Sequence, residues 1–297
     1  MRNKFLKITL LLCALIAIAV GVSLFFPAKP PIPQKPLPDP NGYDALIQAA
    51  RLTTRSASDY RKLNQAELTA VVEANSNALH LASFALQQES RVPIQFTTAY
   101  MSSHMEELAG VKGLAQAWSA EGRLAEMESR PADAAGAYVE TIRMGMQSGR
   151  GGVLIDDLVA IAVEAIGTAN LRALVPQLDE KTCRNTAGIL EKLDAGRVPW
   201  QEILDQEREW GGRTYPGLRE RIAALFSQKS IAAAKKKAES KFKAQQSSLR
   251  RLSVQLAARA YQLEKGAAPK SISELVPEFL RAVPVDPVTG TNMVYAP

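Results

Sequence analysis

Two histidines, two cysteines and a scatter of carboxylates are the raw material for chemistry in this chain of 297 residues. With only His80 and His104 as imidazoles, a multi-histidine metal centre is excluded. Cys13 and Cys183 form neither a cysteine-rich zinc site nor a disulfide framework. In His104-Met105-Glu106-Glu107 the imidazole lies one helical turn from Leu108 and within reach of Glu107. One imidazole with one carboxylate reads as a polar pair on a helix surface rather than as acid–base machinery. Asp156-Asp157 falls near a helix start, where the positive end of the helix dipole favours negative charge. Cys183 reads as a small, partly buried residue. Glu202, Glu207 and Glu209 share a helix with Trp200 and Trp210, and line either a groove or plain surface.

Phosphate chemistry finds no foothold either. Ser148-Gly149-Arg150-Gly151-Gly152 is rich in glycine but lacks the Lys-Ser/Thr of a P-loop, and no strand precedes it. It reads as a helix C-cap with a linker. There is no Gly-x-Ser-x-Gly elbow and no His-Glu-x-x-His pair. No catalytic, cofactor-binding or metal-binding residue is assigned, and the expectation is a non-enzymatic protein.

The elements that carry these residues read as helices. A hydrophobic share of 46% is too high for wholesale disorder. Between Asn41 and Ala268 only Pro93, Pro131, Pro176, Pro199 and Pro216 occur, each where an apolar period restarts. Asn64-Gln65-Ala66-Glu67 is a capping box, with Leu68, Val71, Val72, Leu79, Ala82 and Leu86 on one side of the helix it opens. A second helix starts near Thr97, with Met101, Met105, Leu108, Val111, Leu114, Ala115 and Trp118 recurring every three or four residues. Further helical patterns cover 153–175 and 181–193, ended by Pro176 and Gly196. A short helix spans 199–210 with Gly211-Gly212 after it, and one long helix or two collinear ones lie between Gly217 and Lys265. The fold class is mainly α.

Charge and hydropathy set the topology. Of the net +6, Arg2, Lys4 and Lys7 supply +3 and the stretch Lys229–Lys243 a further +5, so the rest is close to neutral. No charged residue occurs from Ile8 to Ala28, a length that spans about 30 Å as a helix. Residues 8–26 are therefore expected to anchor the chain in the lipid bilayer. The basic residues ahead of them place 1–7 in the cytoplasm and the rest across the membrane. The alternative is a signal peptide cleaved after Ala19-Val20-Gly21. Residues 27–40 hold seven of the 17 prolines and read as a semi-rigid stalk. The body spans 41–248. Lys235, Lys236, Lys237, Lys241 and Lys243 sit among Ala, Gln and Ser, a solvated helix surface or a contact for anionic lipid or an acidic partner. Nucleic acid is not expected, because aromatic residues are not interleaved with the basic ones.

Two resemblances complete the picture. The stretch 114–146 runs through Gly122-Arg123, then Pro131 to Tyr138 with Ala134, Ala135 and Ala137. It resembles one tetratricopeptide-type helical hairpin, in which small residues allow two antiparallel helices to approach closely. The stretch 249–297, with Tyr261, Gly266, Pro269, Leu275-Val276, Phe279-Leu280, Pro284, Asp286-Pro287, Gly290 and Tyr295, resembles the end of bacterial type II secretion major pseudopilins. The resemblance implies a helix end, a short turn burying Ile272, Leu275 and Val276, and a turn at 284–290 before a short strand at 293–295. Lys4-Phe5-Leu6-Lys7 lacks the glutamate of a processed pseudopilin, and no positions match the family's calcium loop. A packing module is implied, not filament assembly. The expected function is an inner-membrane-anchored, periplasmic helical scaffold for envelope proteins, with an accessory role in a secretion or pilus-type machine as the alternative. An exported hydrolase would require a pocket that joins carboxylates from several helices.

Overall fold

The computed structural model describes residues 34–54, 59–215, 217 and 228–295. The expected anchor at 8–26 and the first part of the proline-rich stretch lie outside the described residues. Eight α-helices are present among those described: α1 Gly42–Leu52, α2 Gln65–Ala85, α3 Tyr100–Met127, α4 Pro131–Ser148, α5 Leu154–Leu174, α6 Glu180–Ala195, α7 Trp200–Thr214 and α8 Gln228–Lys265. The mainly helical reading holds.

Local chemistry accounts for the boundaries. Asn64 accepts from the Glu67 backbone N–H while Glu67 accepts from the Asn64 N–H, so the expected capping box opens α2. Asp179 caps α6 through Thr182 N–H at 2.7 Å. Pro131 starts α4, where its missing N–H costs nothing. The 148–152 glycine stretch does terminate α4, with Gly149 as its C-cap. Gly211-Gly212 does not terminate α7, which continues to Thr214.

Consecutive helices from α1 to α5 pack beside one another, and α8 returns to lie on α6 and α5. Leu46, Leu79, Ala82, Val111, Leu114, Trp118, Met144 and Val163 form one core, from α1 to α5. Leu171, Leu174, Leu190, Leu249, Leu252 and Leu256 form a second, which also takes in Leu275, Phe279 and Leu280. Each fully buried leucine contributes about 1.5–3 kcal/mol. Met105, expected on the apolar face of α3, is instead exposed. The α3–α4 connection is three residues long, and the two helices close tightly. A Cβ on Gly122 would stand 2.4 Å from the Tyr138 ring, so no side chain fits there.

The C-terminal segment keeps its turn but not its strand. Gly290 N–H returns to the Asp286 carbonyl at 2.7 Å, and the Asp286 carboxylate accepts from Val288 N–H. Residues 293–295 form no strand, although Met293 N–H donates to the Pro284 carbonyl at 2.8 Å, and an isolated antiparallel bridge joins Val285 to Asn292. Helix α8 runs without a break through position 248. One helical stretch among the described residues, Leu154–Gln177, is long and apolar enough to cross a membrane. It lies inside the bundle, packed by α3, α4 and α8, and carries Asp156, Asp157 and Glu164.

Candidate functional site

His104 lies in the second turn of α3 and is not a surface residue. Its side chain is 1% exposed, because the start of α5 folds over it. Asp156, fully buried, approaches Nε2 at 2.5 Å, and Glu107 approaches Nδ1 at 3.3 Å. The sequence pairing with Glu107 is therefore present, but as the outer half of a buried arrangement. A neutral imidazole has one N–H to donate; two facing carboxylates require two, so the geometry fits the imidazolium. Burial opposes that charge. The hydrogen bond and charge of Asp156, followed by those of Glu107, outweigh it and hold the pKa above the ordinary histidine value.

The glycine loop makes this contact possible. Asp156 accepts from Val153 N–H at 2.8 Å, the helix-start role read from the sequence. That return bond folds the carboxylate back over residue 152, where a Cβ would lie 2.5 Å from its side chain. Only glycine leaves the space. The Tyr100 ring stacks on His104 at 4.6 Å, and the hydroxyls of Tyr43 and Tyr100 are buried nearby without a hydrogen-bond partner among the described residues. Burial, with Asp156 and Glu107 adding to it, raises both tyrosine pKa values far above 10. On the outer side, Glu107 accepts from Arg51 at 3.1 Å, so the series Asp156–His104–Glu107–Arg51 runs from the core to the surface. It emerges in a groove of about 320 Å³ between α1 and α3.

A second buried constellation lies further along α5. Glu164 receives a bidentate pair from Arg197, at 2.7 and 3.2 Å. Arg197 also meets Asp194, which takes Arg250 from α8 at 2.6 Å. Beside them a cavity of about 20 Å³ is lined by Asp157, Glu164, Arg150, Arg197 and Phe242. That is room for about one water. Burial, then the charge of Glu164, pushes the Asp157 carboxyl up to about 7, against the pull of Arg197. Both carboxylates lining the cavity, Asp157 and Glu164, come from α5.

The remaining candidates do not converge. Glu207 accepts from Leu154 N–H at the start of α5, and Glu202 pairs with Lys35. The Trp210 indole donates to the Gln95 carbonyl, while Trp200 lies against Phe242. These residues of α7 therefore face several neighbours rather than one groove. Cys183 is wholly buried, not partly, and burial pushes its thiol up to about 11. Sequence reasoning missed the Glu164–Arg197 pair. The available signal was Glu164 itself, the lone charge between Leu158 and Asn170 on an otherwise apolar helix. His104–Asp156 offers no such signal across 52 positions. No family model matches this chain, and neither a curated protein nor a solved structure matches it.

Proposed function

We propose that this chain is a single-pass envelope protein: a transmembrane helix at 8–26, a proline-rich stalk at 27–40 and an extracytoplasmic helical body that holds another envelope protein. Within that body α3 and α4 act as a tetratricopeptide-like hairpin, a reading supported by the close fit of Gly122 to Tyr138. The buried ionisable groups serve to lock the helices in one arrangement, each tied to a neighbouring helix or loop.

The observation that carries the reading is an open groove of about 540 Å³ between α5, α8 and the 286–289 turn. Arg172 and Arg251 face it with Ser247, Ser248 and Thr289, and Val288 is 59% exposed at its edge. Arg172 donates to the Ser248 carbonyl and hydroxyl, and Arg251 to Asp286, which leaves guanidinium donors to spare. Burial, then the like charge of Arg251, depresses the Arg172 pKa. An exposed apolar side chain beside paired arginines suits a partner segment bearing a carboxylate.

Cross-linking of the full chain in its native membranes tests this, with an anchor-only chain as control. The expected result is a reproducible set of envelope proteins captured by the wild type and lost from Arg172→Glu/Arg251→Glu. Equal capture by the double variant would overturn the groove assignment. A second reading, an accessory component of a type II secretion or pilus-type machine, is favoured by the docked C-terminal turn. Capture of secretion components that disappears on deleting 249–297 would make it the leading account.

A further inference from the structure

The first residues of the described chain are held on α7. The Gln206 side chain donates to Gln34 at 3.0 Å, and Lys35 pairs with Glu202 at 2.9 Å. At the start of the same helix, Trp200 lies against Phe242 of α8, ring centres 5.5 Å apart. Ala238 and Phe242 are the first buried side chains of α8; the ten residues before them, 228–237, are helical and leave the body unburied. Gln34 and Lys35 at one end of the described chain, and Phe242 near the start of α8, are therefore all held by the first two turns of α7.

The dimensions match. From Phe26 to Gln34 is eight residue steps, about 29 Å at full extension. From Phe242 back to Gln228 is fourteen steps of helix, about 21 Å. With residues 8–26 in a bilayer, the projecting helix is long enough to bridge most of the gap between body and headgroups. Its charge is one-sided: six lysines and a single acid, Glu239, lie within Lys229–Lys243. Glu239 is already engaged by Lys243 at 2.8 Å, while Lys229, Lys236, Lys237 and Lys241 are exposed and Lys235 half-exposed. A helix with so little apolar face gains nothing from packing on a protein core. It gains from an anionic surface within a Debye length.

We propose that the basic end of α8, residues 228–243, docks on the anionic lipid headgroups of the membrane that holds the anchor, so the body is tethered at two points. This rests on the anchor reading. The test uses the full chain in nanodiscs of phosphatidylcholine alone or with about 30% phosphatidylglycerol, roughly one anionic lipid in three. Lysine acetylation is read by mass spectrometry, with the exposed Lys112 and Lys192 as internal controls. Acetylation of Lys235, Lys236, Lys237 and Lys241 is expected to slow about threefold or more in anionic discs, and to recover in 1 M salt, where the Debye length falls to about 3 Å. The controls are expected not to change. Equal rates in both discs overturn the lipid contact while leaving the anchor intact. A chain that fails to co-purify with discs of either kind overturns the anchor and the contact together. Protection seen in native membranes but in neither disc overturns lipid in favour of an acidic protein.

Discussion

His104 and Asp156, from different helices and 52 residues apart, meet at 2.5 Å where neither side chain is more than 1% exposed. The contact closes the start of α5 onto α3. Its value to the fold depends on charge. A carboxylate buried with an imidazolium is compensated; either one left alone is not.

Stability should therefore fall as pH rises. The folded-state pKa of His104 is raised above its unfolded value, so its contribution is complete below about 6.5 and is lost as pH climbs through the folded value. Asp157, raised to about 7 in the folded state, acts in the same direction over the range from its ordinary value of 3.8 upward. The urea midpoint is expected to be higher at pH 5.5 than at pH 8.5, provided Asp156, Glu107 and the two tyrosines stay in place. Asp157→Asn is expected to stabilise the protein at pH 8.5 by on the order of 1–3 kcal/mol and to flatten the profile.

Removing one member of the buried pair is expected to cost more than removing both. His104→Ala or Asp156→Asn alone should cost about 3–5 kcal/mol, since each leaves an uncompensated group. The double variant should fall well short of the sum, a coupling that a double-mutant cycle of denaturation midpoints measures directly. Strict additivity would mean that the two side chains do not share a proton-bearing contact.

Gly152→Ala tests the loop separately from the pair. Its Cβ would press on the Asp156 side chain at 2.5 Å, so a loss of about 1–3 kcal/mol is expected, together with a weaker pH dependence. Gly188→Ala, on an open face of α6 with nothing within 4 Å of the added carbon, serves as the control and should be neutral or mildly stabilising.

Arg197 carries a comparable burden at the other end of α5. Arg197→Ala leaves Glu164 buried and unpaired and should cost about 3–5 kcal/mol. Arg197→Lys should recover only part of this, because an ammonium cannot reproduce the bidentate contact. Chemical denaturation at pH 7 compares the three proteins.

Helix identity was legible in the chain because it follows from local patterns. The capping box at Asn64 and Glu67, the stop at 148–152 and the apolar period of α3 each depend on residues within a turn or two of one another. The small residues of 114–146 likewise announced a close hairpin, since Gly122 has no side chain to keep Tyr138 away. The pairs that give the body its chemistry were not legible. A helix surface and a helix core present the same short-range spacing, so His104 with Glu107 read as an exposed pair until α5 was laid across it. Glu207 and Trp210 read as lining either a groove or plain surface, but they turn to α5 and to Gln95, because the neighbours differ on each side of α7. Periodicity states which residues share a face; what that face meets is decided by contacts between segments far apart in the chain. For the same reason the six lysines of Lys229–Lys243 were visible as charge from the sequence. That residues 228–237 continue α8 unburied, ahead of the packing of Phe242 on Trp200, was decided only by the tertiary structure.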